Sequence, residues 1–173
     1  MPKISERQLT KKIALLAVLT AAGVVLGRFV PMVNILTSKY EFSFAAVMVA
    51  AYLTGPIGGA VVGGLVDLIG ALLVPTGAYF PGFTLTAILT GLVYGILMYK
   101  ECSVPRILIA VLSTQTVCSL IMNTLFISIF FSPKGFFALL ATRAVQAVIM
   151  AVLQIVFAVI VFKKVNLKKM LKM

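Results

Sequence analysis

The chain has 173 residues, 62% of them apolar and 11% charged, with a mean hydropathy of +1.17; a soluble cytosolic enzyme is neither so apolar nor so poor in charge. Lys and Arg outnumber Asp and Glu by 15 to 4, giving a net charge of +11. That balance alone fits nucleic acid, anionic lipid or membrane topology, and the apolar content decides for the membrane. The absence of His excludes imidazole base chemistry and histidine metal sites, and Cys102 and Cys118 form no C-x-x-C pair, so they read as free thiols.

Apolar runs of about 20 residues cross the roughly 30 Å hydrocarbon core as helices. Six such runs follow one another in a single membrane domain over 1–173, at 9–30, 42–53, 57–74, 83–99, 107–131 and 136–162. The expected fold is an all-α integral membrane protein with six transmembrane helices. The second run is short and leads into Gly55-Pro56, which suits an interfacial entry or a tight turn into the third. Lys11-Lys12, the apolar stretch behind them and Ala21-Ala22-Gly23 imitate a signal peptide. The run is long for such a segment and heads a multi-span chain, so it reads as a span.

Charge sets the orientation. With the N-terminus inside, eleven Lys and Arg fall on cytoplasmic segments, whereas Arg28, Lys39 and Lys134 lie outside and Arg143 lies within the sixth span. Both termini are therefore expected to be cytoplasmic. The basic tail after Phe162 serves as an orientation signal and a contact for anionic lipid, and nucleic acid is not expected as a partner.

Ionisable side chains at membrane depth are costly and by default face protein or water. Asp67 on the third span and Arg143 on the sixth both lie ~10 Å below the outer boundary. Asn123 on the fifth lies at a similar depth, with Ser119 and Thr116 at i−4 and i−7 on the same face of an ideal α-helix. Arg143, Gln146 and Gln154 share about 80° of arc on the sixth. Two readings fit these groups: an Asp67–Arg143 ion pair with Asn and Gln as interhelical glue, or a dead-end pocket open to the outside.

Two outer connections bear on that choice. Residues 28–40 read RFVPMVNILTSKY, a long non-helical connection leading to Glu41 and Phe44, and residues 75–82 read PTGAYFPG. Aromatics beside charges suit a flat conjugated ligand with a charged appendage, because rings stack and cations clamp carboxylates. An interfacial aromatic belt would also place Tyr40, Tyr79 and Phe80 there.

Small residues recur at i and i+4 in Gly55, Gly59 and Gly63, in Gly23 and Gly27, and in Gly91 and Gly95, a spacing that lets helices approach closely in lipid. Ala14, Ala17 and Ala21 form a smooth patch on the first span that fits internal packing or a partner helix.

Residues 55–95, GPIGGAVVGGLVDLIGALLVPTGAYFPGFTLTAILTGLVYG, strongly resemble the substrate-binding S components of energy-coupling factor (ECF) vitamin transporters, and the PTGAYFPGFTLTA portion is most similar to the folate-specific branch. The resemblance covers most of the chain. It implies six helices with both termini inside, a bacterial cytoplasmic membrane location, and an A-x-x-x-A face that contacts a transmembrane coupling subunit, matched here by Ala17 and Ala21. It further implies a non-enzymatic role without a cofactor: capture of folate or a related vitamin from outside, and delivery inward by toppling with the coupling subunit and two cytosolic ATPases. The chain has no P-loop motif of its own.

Laid against folate, the polar residues take candidate roles. Asp67, or failing it Glu41, accepts the amino-pyrimidinone edge of the pterin, and Arg28, Lys39 and Arg143 clamp the glutamate carboxylates. Tyr40, Phe44, Tyr79, Phe80 and Phe83 sandwich the rings, and Asn123 and Gln146 complete the polar shell. The alternatives are an S component for riboflavin or a queuosine precursor, and a non-transport membrane scaffold in which Asp67 and Arg143 are structural.

Overall fold

Proline opens three of the helices. Pro56, Pro81 and Pro105 each stand in a first turn, where the missing N–H has no intrahelical partner to lose. The structure, a computed structural model, describes residues 6–29, 33–35, 38–75, 79–99, 101–131 and 136–164. Helix α1 runs Glu6–Arg28, with its acidic residue in the first turn and its basic residue in the last, both favourable to the helix dipole. Helices α2, Phe44–Thr54, and α3, Pro56–Leu73, are joined through Gly55, whose φ of 87° lies in the region open to glycine. Helix α4 spans Pro81–Met98 and α5 spans Val104–Phe130. Helix α6, Phe136–Val159, continues into a π-helical turn at Ile160–Lys164. Helices α4 and α5 begin two to three residues before their expected starts, because the prolines rather than the first apolar residue set the boundary.

Two features depart from an all-α reading with uniform pitch. Between α1 and α2, strands β1, Val33–Ile35, and β2, Ser38–Tyr40, form a small antiparallel hairpin with Asn34 opposite Lys39. Within α5, residues Thr114–Met122 wind as a π-helix. Bonding from i to i+5 widens the turn to roughly 4.4 residues, or about 82° per residue in place of 100°.

Among the described residues, five helices are long and apolar enough to cross a membrane. Helix α2 has 11 residues and rises about 16 Å, so it is not one of them. It is instead the most enclosed helix, with Met48, Ala50 and Ala51 at 0% exposure. Helix directions follow from the contacts that glycines permit. Gly23 meets Val66 and Gly70 meets Arg28, so α1 and α3 run parallel; Gly63 meets Val47 and Gly59 meets Ala51, so α2 runs back between them. A Cβ on Gly91 would collide with the Gly59 carbonyl, one on Gly63 would come within 2.5 Å of the Ala87 carbonyl, and one on Gly95 would strike Pro56. The repeated glycines thus form a close seam between α3 and α4.

The two ends of the bundle differ. At the hairpin end α1, α3 and α5 finish and α2, α4 and α6 begin. The opposite half is a dry core in which Met98, Ile107, Ala110, Val111 and Ala158 have no exposed surface, and the Tyr52 and Phe162 rings pack 4.6 Å apart.

Candidate functional site

A cavity of about 550 Å³ occupies the hairpin half and lies within the size range of small-molecule sites. Its upper wall carries the charges: Arg28 from α1, Glu41 from the segment before α2, Asp67 from α3 and Arg143 from α6. Phe44, Tyr79 and Phe83 supply aromatic surface, and Asn123 and Gln146 supply amides. Nine of the twelve ligand-binding residues expected from sequence line this one space. Phe80 does not. It packs instead among Phe83, Phe126, Phe130 and Phe131, with centroids 4.7–6.0 Å away, and these rings close the gap between the ends of α4 and α5. The side chains of Lys39 and Tyr40 lie outside the described residues, as do Thr76, Gly77, Ala78 and Lys134.

No ion pair joins Asp67 to Arg143 among the described residues. Thr84 donates to Asp67 Oδ2 at 2.6 Å and accepts from the Tyr79 hydroxyl at 3.0 Å, so a chain of hydrogen bonds ties the loop before α4 to α3. The Arg143 Nε is buried without a protein acceptor among the described residues. Both charges therefore face the cavity instead of neutralising each other, which removes the basis for a purely structural pair. Arg28 approaches Glu41 at 3.9 Å and lies against Gly70, where a Cβ would come within 2.7 Å of its Nε. That glycine lets the guanidinium lie across α3 into the cavity wall.

The lower part of the cavity was not legible from α-helical spacing. Counting back from Asn123 at 100° per residue places Thr116 inward and Cys118 some 140° away. At about 82° per residue the two exchange, and Gln115, Cys118 and Ser119 come within roughly 65° of Asn123. Thr116 is accordingly exposed, whereas Cys118 and Gln115 are 5% and 9% exposed and line the cavity with Ser119. From α4, Thr86 donates to Asn123 Oδ1 at 2.9 Å, and Thr90 lies one turn deeper in the wall. Threonines in an apolar run carry little signal, because their hydroxyls can be satisfied by the carbonyl one turn back, as Thr90 is by Thr86 at 2.8 Å.

The floor is a buried hydrogen-bond chain. Thr114 Oγ1 donates to the Tyr94 hydroxyl at 3.1 Å, and Tyr94 donates to Gln154 Oε1 at 2.9 Å. Tyr94 is fully buried, and beneath it the dry core begins. The space is a pocket reached from the hairpin end rather than a pore.

Farther from the hairpin end along α1, outside the cavity lining, Ala14, Ala17 and Ala21 are exposed, as are Ile13 and Val18. Both cysteines are free thiols, and among the described residues no cluster of acidic and thiol groups suits a metal ion.

A helical membrane protein with a closed-ended, mixed-charge pocket at one end of its bundle is a small-molecule binding subunit rather than a channel. The family model for the substrate-specific component of ECF transporters matches residues 11–162, and the chain belongs to that family. It is 37% identical over 113 residues to the folate transporter FolT of Clostridium novyi (strain NT), a match spanning 65% of each chain. It is 28% identical over 160 residues to the folate transporter FolT of Leuconostoc mesenteroides subsp. mesenteroides, covering 89% of this chain and 83% of that one. The crystal structure of FolT bound with folic acid superposes with a TM-score of 0.81 at 31% identity, over 90% of this chain and 94% of that one. The S component for biotin from an ECF-type ABC transporter shares the fold, with a TM-score of 0.68 at 18% identity over 92% and 95% of the two chains.

Proposed function

We propose that this chain is the folate-capturing subunit of an ECF-type importer, which takes folate from outside and delivers it inward with a transmembrane coupling subunit and two cytosolic ATPases. The observation that carries the reading is the vertical order of the cavity, charged at the hairpin end and uncharged at the floor. Folate has the same order, with a dianionic glutamate at one end and a neutral bicyclic pterin at the other. The likeness to folate-binding FolT over nine-tenths of the chain supports the assignment.

The hairpin end faces outward in this reading, with both termini cytoplasmic, as the excess of cytoplasmic Lys and Arg favours. The parallel course of α1 and α3 supports six crossings, since the intervening chain has to return and α2 provides about half the depth. Arg28 and Arg143 take the two carboxylates, with Lys39 as a further candidate, and Glu41 steadies Arg28. Phe44, Tyr79 and Phe83 flank the rings, with Tyr40 as a further candidate, and Phe80 buttresses Phe83.

Asp67, expected to accept the amino-pyrimidinone edge, stands in the charged upper wall, which favours an N–H nearer the middle of the ligand. Thr84 holds Oδ2, and the carboxylate keeps acceptor capacity for an N–H of the ligand's middle portion, while the pterin lies deeper. The exposed Ala17 and Ala21 face docks on the coupling subunit, because small side chains let a partner helix approach closely.

The direct test is a calorimetric titration of the detergent-purified chain with folic acid and with riboflavin. Saturable, tight binding of folic acid alone is expected. Binding of riboflavin in its place would reassign the ligand, and binding of neither by folded protein would overturn the capture role.

A further inference from the structure

The floor chain fixes more than the depth of the pocket. A phenol carries one proton, and Tyr94 gives its proton to Gln154 Oε1, while the Tyr94 oxygen accepts from Thr114. In this arrangement the Gln154 amide has its oxygen toward Tyr94 and its Nε2 as the opposite end, while Thr114 Oγ1 also has the Ala110 carbonyl at 2.9 Å as an acceptor for its one proton. Gln154 is 4% exposed and lines the cavity. An amide donor at the wall of a cavity from which a ligand displaces water needs an acceptor on that ligand. The surrounding floor residues, Thr90, Gln115 and Cys118, are uncharged, so the complement is a neutral acceptor rather than an anion.

We propose that Gln154 is a specificity-determining residue whose Nε2 donates to the ring carbonyl of a neutral heteroaromatic ligand lowered head-first to the floor, and that Tyr94 is the positioning residue that keeps the amide turned donor-inward. This deepens the folate reading and rests on it, with the pterin carbonyl as the group recognised. A site that supplies only a donor at this point discriminates against an analogue that presents a second donor there. Substituting an amino group for the 4-oxo group of the pterin makes that change and leaves the glutamate tail untouched.

The experiment compares folic acid with its 4-amino analogue, aminopterin, on the full-length detergent-purified chain by calorimetry. The wild type is expected to favour folic acid by roughly tenfold or more, the size of one unsatisfied buried donor pair. Gln154→Met, which keeps the length and removes the amide, is expected to weaken folic acid and bring the ratio close to one. Tyr94→Phe frees the amide to turn its oxygen inward, so aminopterin is expected to gain relative to folic acid. A merely structural tyrosine would weaken both ligands equally. Retained aminopterin binding and an unchanged melting temperature control for folding.

A wild-type preference that survives in Gln154→Met would overturn the proposal while leaving the folate reading intact. Parallel losses for both ligands in Tyr94→Phe would remove the positioning role. Wild-type protein that binds neither pteridine would overturn the folate reading, and this proposal with it.

Discussion

Thr84 on α4 donates to Asp67 on α3 at 2.6 Å, across the seam where the two helices are otherwise held together by glycine. The carboxylate is thus fixed in orientation from one side, and Asp67 lines the cavity. Asp67→Asn is expected to weaken folic acid by about 1–3 kcal/mol while the protein stays folded, because a charge-assisted acceptor becomes a partial donor on the ligand side. Calorimetry of the variant gives the answer, and unchanged affinity would remove Asp67 from the binding site.

The glycine seam makes a stability prediction with an internal contrast. A side chain at Gly91 meets the backbone of Gly59, which cannot move aside, so Gly91→Val is expected to cost at least about 1–3 kcal/mol and to lower the Tm in detergent. Gly64→Ala meets only the Ile88 side chain at 2.7 Å, which can rotate away, and its effect on Tm is expected to be smaller. Equal shifts for the two variants would argue against backbone contact as the cause.

Ala17→Trp and Ala21→Trp act on an exposed stretch of α1 outside the cavity lining. Folic acid binding to the isolated chain is expected to be unchanged, and uptake in vesicles reconstituted with the coupling subunit and ATPases is expected to be lost. Loss of binding by the isolated variants would mean that this face packs internally.

Cys118 reports on the cavity without any change to its polar groups. In a Cys102→Ser background, a small thiosulfonate reagent is expected to modify Cys118 slowly, since the residue is 5% exposed, and saturating folic acid is expected to slow the reaction further. Modification at the same rate with and without folic acid would place the ligand elsewhere.

Much of this site was legible because charge is anomalous in an apolar run. Asp67, Arg143, Asn123 and Gln146 stand out against their neighbours, and their depth along the helices follows from residue count alone. What spacing could not supply was phase. Thr116 and Cys118 exchange faces only because nine residues of α5 wind as a π-helix, and periodicity arguments assume 100° throughout. The β1–β2 hairpin escaped for a different reason: three-residue strands are too short for an alternating pattern to emerge. Tyr94 was hidden because an aromatic in an apolar helix is ordinarily core. Its hydroxyl matters through partners 20 and 60 positions away.

The shortness of α2 has a consequence for how the chain is made. An apolar helix of 11 residues emerging from the ribosome gives the insertion machinery too little hydrocarbon-matching length to hold on its own. Its burial against α3 and α4 supplies what its length does not. The placement of α2 is therefore settled only after residues up to Met98 have been synthesised, and a chain interrupted before that point would lack the helices against which α2 is buried.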